Sequence, residues 1–141
     1  MQQRLNFLTL GVKDLGKTKT WYMENFGWTP MKDSDGIVFF KLNGFILGLF
    51  PVEELAEDIH IKNDGKGFKQ MAMAINFKSQ DEVNSIFAEL KAKGVTIVRE
   101  PEKVFWGGYR GYIADNENNY WELAHNPFLE LDKNGSVVSH Q

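Results

Sequence analysis

Apolar positions along this chain alternate with period two in short runs and recur with helical spacing in two longer ones, in the same order in each half. In "NFLTLGV" (6–12), Leu8, Leu10 and Val12 share one face and Phe7, Thr9 and Gly11 the other, as in a half-buried strand. Asp14 is placed to cap a helix running to about Phe26, with Gly27 at the C-terminal glycine position. "WTPMKD", "GIVFFKLN" and "FILGLFP" then predict three short strands, separated by the turn signals "SDG" and "NG". The first half reads β-α-β-β-β.

The second half repeats that order. In "MAMAINF" (71–77), Met71, Met73, Ile75 and Phe77 oppose Ala72, Ala74 and Asn76. "SQDE" is a capping box, Ser79 to Glu82, opening a helix with Val83, Ile86, Phe87 and Leu90 on one stripe and Gly94 at its end. "VTIVRE", "YRGYIAD" and "YWELAH" predict three more strands. Val12 and Phe77 close corresponding strands 65 positions apart (77 − 12), so the chain reads as a tandem repeat.

The expected fold class is α+β. Two βαβββ modules put helices on the outer faces, and their inner faces form a curved mixed sheet around a central cavity. The expected layout is a single domain over 1–141, with module one at about 5–51, a polar linker at 52–68, module two at about 69–127 and a tail at 128–141. The linker has room for one helical turn. The tail either forms a small hairpin at Asn134-Gly135 or frays.

Composition changes this picture by exclusion. At 141 residues and 16.2 kDa the chain has the size of one domain with a substantial core. Its net charge is −3 with Lys and Arg scattered, which speaks against a nucleic-acid track. It has no cysteine, hence no disulfide or thiolate chemistry. "MQQRLNFLTLGVKD" enters a strand pattern without a signal segment, and no apolar run reaches the ~20 residues of a membrane span. The expectation is a cytoplasmic protein with no nucleic-acid or membrane partner.

Two stretches carry a resemblance. "LGVKDLGKTKTWYMENFGW" after the first strand and "GYIADNENNYWEL" at the last hairpin, set in paired βαβββ units, resemble the vicinal oxygen chelate superfamily. That superfamily includes glyoxalase I, bleomycin-resistance proteins and extradiol dioxygenases. The resemblance spans roughly residues 5–127, with "ADxxNNxWEL" its most specific part, and "VFWGGYRGY" through "HNPF" is similar to a glyoxalase-like bacterial subgroup. In the superfamily's enzymes, His and Glu from each module chelate a divalent metal. With "VKDL" fixing the register, the His positions fall on Phe7 and Ala72 and the Glu positions on Gly48 and Glu122. The resemblance thus implies one metal ligand of four, and no metal or other cofactor is expected. Strand parity agrees: if the aliphatic sets face the helices, Phe7, Gly48, Ala72 and Glu122 face inward.

Several residues are candidates for chemistry. Glu122 is a general base, a hydrogen-bond acceptor for a ligand, or a solvated wall carboxylate; Asn76, Tyr109 and Arg110 are its candidate partners. Asn76 interrupts an apolar strand on the inner face, to meet either a ligand or neighbouring backbone. Trp106, Tyr109 and Tyr112, among Gly107, Gly108 and Gly111, form a pocket lip or fill core; Trp106 and Tyr109 are assigned to the pocket and Tyr112 to the core. His125 shares a face with Trp121 and Leu123, away from Glu122, and is read as structural. "DNENN" (115–119) is a hairpin turn, since Tyr120 stands where a calcium loop needs glycine. No Ser-His-Asp set, phosphate loop or dinucleotide fingerprint is visible.

The leading expectation is a metal-free small-molecule-binding protein of the glyoxalase/bleomycin-resistance type. Phe7, Asn76, Trp106, Tyr109 and Glu122 would line the cavity, with a planar ligand stacked on aromatic walls. The resemblance implies a homodimer. The alternative is a lyase, isomerase or dioxygenase relative that uses Glu122 in proton transfer, with or without a recruited divalent metal.

Overall fold

The computed structural model describes residues 1–31 and 36–141. They fall into two compact units, Met1–Gly67 and Phe68–Gln141, and the chain adopts an α+β fold. Among the described residues no helix is long and apolar enough to cross a membrane.

The first unit runs β1 (Phe7–Val12), α1 (Leu15–Phe26), β2 (Val38–Lys41), β3 (Ile46–Pro51) and α2 (Val52–Ile59). Its sheet has the order β1-β3-β2, with β1 parallel to β3 and β2 antiparallel. α1 starts where the alternation predicts: the Lys17 N–H donates to Asp14 Oδ1 at 3.0 Å. It stops at Gly27, whose φ of 68° is a left-handed conformation that glycine adopts without a Cβ clash. One sheet face collects Leu10, Val12, Val38, Phe40, Leu47 and Leu49, all buried, under the fully buried Tyr22 of α1. Tyr22 stacks on Trp28 at 5.6 Å and lies 6.0 Å from Phe40.

Two expectations for this unit need correction. In "WTPMKD", residues 28–31 form no strand, although the Met31 N–H donates to the Phe39 carbonyl at 2.7 Å. Lys32 and Asp33 of that stretch, with Ser34 and Asp35 of the turn, lie outside the described residues. The polar linker holds more than one turn: α2 spans eight residues and buries Ala56. It lies against Gly11, where an added Cβ would stand 3.0 Å from Val52 Cγ2 and 3.3 Å from Leu55 Cδ2.

The second unit runs β4 (Ala72–Asn76), α3 (Gln80–Ala92), β5 (Thr96–Lys103), β6 (Tyr109–Ala114), β7 (Tyr120–His125), β8 (Leu129–Leu131) and β9 (Val137–His140). Its main sheet has the order β4-β7-β6-β5, again with the first strand parallel to the last. The Glu82 N–H donates to Ser79 Oγ at 3.1 Å, and the Glu82 carboxylate accepts from the Lys78 N–H at 2.8 Å. The box therefore closes one residue upstream of its usual reciprocal partner. α3 buries Val83, Phe87 and Leu90 against the face carrying Ile113, Trp121 and Leu123. The tail forms the hairpin β8–β9. Asp132 Oδ1 accepts from the Asn134 and Ser136 N–H groups at 2.8 and 2.9 Å, and Gly135 takes φ 79°.

Candidate functional site

The sheet face of the second unit turned away from α3 is built by strand pairing. Ala74 of β4 stands beside Glu122 of β7, which stands beside Tyr112 of β6. On one side of that row lie Ala72, Tyr120 and Ala114; on the other lie Asn76, Ala124 and Arg110. Parity is anchored from the opposite face, where Gly111 meets Phe87 of α3. A side chain is crowded out there: a Cβ would fall 2.5 Å from Phe87 Cζ and 2.6 Å from the Arg99 carbonyl oxygen.

At the centre of the open face the Tyr112 hydroxyl donates to Glu122 Oε2 at 2.7 Å. That bond to the carboxylate, with burial adding to it, holds the Tyr112 phenol above its ordinary pKa, because the anionic phenolate would lose the donor and face a like charge. The Arg110 guanidinium lies 5.6 Å over the Tyr112 ring, a cation–π contact. Arg110 pairs with Glu102 at 3.2 Å, and Arg99 pairs with the same carboxylate. Both bonds favour the charged form of Glu102 and lower its pKa, Arg110 foremost.

The residues expected in a pocket are thus distributed over several places. Glu122 and Asn76 share this face, and both are half-buried. Tyr109 does not join them: alternation along β6 turns it toward α3, where its hydroxyl donates to Asn84 Oδ1 at 2.5 Å. Tyr112, assigned to the core from sequence, is the partner Glu122 takes; neither Tyr109 nor Arg110 is. Trp106 sits on the turn between β5 and β6, its ring folded over Gly108 so that a Cβ at Gly108 would overlap it at 1.8 Å. Trp106 as a whole is 37% exposed. His125 turns away from Glu122, and its Nδ1 lies 3.1 Å from the Phe77 carbonyl oxygen. "DNENN" is a hairpin turn: buried Asp115 accepts from the Glu117 N–H, the Asn119 N–H and Asn119 Nδ2, each at 2.8 Å.

In the first unit Phe7 is 51% exposed and meets Phe39 edge-on at 5.8 Å. Gly48 pairs with Thr9 and Phe39, and a Cβ there would stand 3.3 Å from Thr9 Oγ1 and 3.4 Å from Phe39 Cε1. The two units match in register. Phe7 pairs with the residue two before Gly48, and Ala72 pairs with the residue two before Glu122. The four positions the resemblance assigns to metal ligands are therefore equivalent in pairs. They carry a benzyl ring, a hydrogen, a methyl and one carboxylate, whose Oε2 already takes the Tyr112 hydroxyl. That donor set does not fit a divalent cation, which needs about three N, O or S ligands. Among the described residues no group of three or more His, Cys, Asp or Glu could hold one.

Comparison with known proteins agrees with this architecture. A glyoxalase-related enzyme from Fulvimarina pelagi superposes with TM-score 0.87 at 34% identity, over 99% of this chain and 100% of that one. A glyoxalase/bleomycin resistance protein/dioxygenase from Nocardioides superposes with TM-score 0.79 at 20% identity, over 89% of this chain and 84% of its own. Lactoylglutathione lyase from Agrobacterium tumefaciens gives TM-score 0.71 at 21% identity, over 89% of this chain and 96% of its own. These last two likenesses concern the fold alone. No curated protein matches the chain. The family model for the Glyoxalase/Bleomycin resistance protein/Dioxygenase superfamily matches residues 4–123, a span that takes in both repeats and Glu122; with the paired registers and the β-α-β order of each unit, the chain belongs to that superfamily.

Proposed function

We propose that the chain is a metal-free small-molecule-binding protein whose ligand sits against the open face of the second unit's sheet. One observation carries this most directly: a carboxylate, Glu122, is held in place by Tyr112 at 2.7 Å on a half-open face floored by alanines. A fixed polar group beside exposed apolar surface is what orients a small ligand. Asn76, one row away, adds an amide that both donates and accepts. Trp106, partly exposed, remains a candidate for ligand contact on the strength of the sequence; the Tyr109 hydroxyl is bonded to Asn84 on the α3 side of the sheet. A homodimer in the cytoplasm belongs to the same proposal and is supported by the family resemblance. Sedimentation tests the dimer.

The experiment for the binding role is a thermal-shift screen against planar aromatic compounds, repeated with Glu122→Gln. A ligand that binds the native state raises the melting temperature by mass action, and the substitution is expected to reduce that rise. If no compound shifts the protein, or if the variant responds like the parent, the binding role of Glu122 fails.

A second function is favoured by one comparison: the Fulvimarina pelagi relative, 34% identical, is described as an enzyme. Glu122 would then move a proton for a lyase, isomerase or dioxygenase-type reaction, since a positioned carboxylate contributes about 10²–10⁴-fold in rate. Turnover of a 2-oxo aldehyde adduct, lost in Glu122→Gln with ligand binding retained, would favour the enzyme over the binding protein.

A further inference from the structure

We propose that this open face selects a flat ligand presenting N–H donors, an amino- or amidine-bearing heteroaromatic, with its ring on the Ala72 and Ala74 methyls and its donors on Glu122. The inference rests on the small-molecule function proposed above and names the ligand's chemistry.

The charge arrangement points there first. The bond from Tyr112 to Glu122 is a neutral hydroxyl on a carboxylate, which steadies the charge without cancelling it. The two arginines on this face are engaged elsewhere: Arg110 and Arg99 both pair with Glu102. Among the described residues no cation pairs with Glu122, and Oε1 carries no bond to a described residue. A carboxylate or acceptor-only ligand laid on this face would meet that charge unpaired and lose its own hydration, whereas N–H donors would complete the carboxylate.

The floor supplies the shape. Ala72 and Ala74 are exposed and point to the Glu122 side of β4, about 7 Å apart at two residues along a strand. Two methyls at that spacing leave a flat apolar ledge beside the Glu122 carboxylate. Glu122 is pinned by Tyr112, and Tyr112 is pinned by Arg110 over its ring. The ledge and the acceptor are thus preorganised, so little ordering opposes binding.

The test is a ¹H–¹⁵N titration of the whole chain with three flat probes: 2-aminobenzimidazole, quinoline-2-carboxylate and quinoline. The first is expected to perturb the amides of Ala72, Ala74 and Glu122 and to bind about tenfold or more tighter than the other two, the gap expected for a hydrogen bond to a charged group. Glu122→Gln should weaken it by a similar factor while leaving the spectrum dispersed. Ala74→Leu, an exposed change that covers the ledge, should block it. This comparison on the unaltered protein needs no variant to fold. If the carboxylate or quinoline binds at the ledge as tightly as the amine, or Glu122→Gln leaves the amine's affinity unchanged, the ligand class is wrong while small-molecule binding stands. If no probe perturbs the ledge and the thermal-shift screen is also silent, both fall.

Discussion

The phenol of Tyr112 and the carboxylate of Glu122 face each other across neighbouring strands at 2.7 Å, with the phenol as donor. Ionising Tyr112 breaks that bond and sets two negative charges side by side, so its pKa lies above the ordinary 10.0. The sign follows from the neutral form being the favoured one. The stabilisation is fully present below the unfolded tyrosine pKa and is lost as pH rises through the higher folded value. In an absorbance titration at 295 nm, Tyr112→Phe should remove a component that ionises above the ordinary tyrosine range, and Glu122→Gln should move that component down. A late component unchanged in Tyr112→Phe would mean that another tyrosine carries it.

Gly111→Ala should destabilise the second unit by about 1–3 kcal/mol, the usual cost of overpacking a well-filled core. The added methyl meets Phe87 Cζ at 2.5 Å, the Arg99 carbonyl oxygen at 2.6 Å and the Pro101 nitrogen at 3.0 Å. Only the first of these can yield by a side-chain shift. Pairing the change with Phe87→Leu should therefore recover part of the loss, and urea denaturation of the two variants measures how much. Full recovery would show that the backbone contacts do not constrain the site.

Most of the scaffold is legible in the sequence, because local chemistry decides it. Asp14 and Gly27 bound α1, Ser79 and Glu82 open α3, and Leu10 and Val12 choose the buried face of β1. α2 was harder to see. Glu53, Glu54, Glu57 and Asp58 give residues 52–59 the composition of a linker, yet Val52, Leu55, Ala56 and Ile59 keep helical spacing, and Val52 and Leu55 lie against Gly11. The site failed at one point, and for a physical reason. Which of Tyr109 and Tyr112 shares the face of Glu122 depends on hairpin register, and register follows from which residues close the loop. The Asp115 N–H donates to the Asn119 carbonyl at 2.9 Å, so pairing counts outward from 115 and 119, setting Tyr112 opposite Glu122 and Tyr109 opposite His125. Counting from "DNENN", together with the need for Gly111 to face a helix, was the signal available in the sequence.

Asp115 is the residue on which that register depends. It is 4% exposed and its two oxygens accept three bonds, from the Glu117 and Asn119 N–H groups and from the Asn119 amide, with Asn119 equally buried. Asp115→Ala leaves those donors without their partner and should cost about 2–4 kcal/mol, since hydrogen bonds to charged groups and stranded buried donors each contribute at that level. Asp115→Asn should cost less, losing chiefly the bond from the Asn119 amide. Thermal denaturation ranks the three proteins, and an Asp115→Ala variant as stable as the parent would remove Asp115 from this role.

The family's metal positions make a prediction about added ions. In the first unit the Glu position is Gly48, where Thr9 Oγ1 and the Phe39 ring already stand within 3.4 Å of any Cβ. In the second unit the carboxylate of Glu122 is present but shares an oxygen with Tyr112, and its neighbour on β4 is the methyl of Ala74. One carboxylate with no imidazole beside it binds a divalent ion weakly. Adding Mn²⁺, Ni²⁺ or Zn²⁺ should therefore leave the melting temperature unchanged, and so should EDTA. A dedicated site would behave otherwise: metal at a hundred times its dissociation constant stabilises the native state by about 2.7 kcal/mol, enough to raise the melting point of a chain this size by several degrees. A rise of that order with one ion, abolished by Glu122→Gln, would place a metal at Glu122 and overturn the metal-free function proposed above.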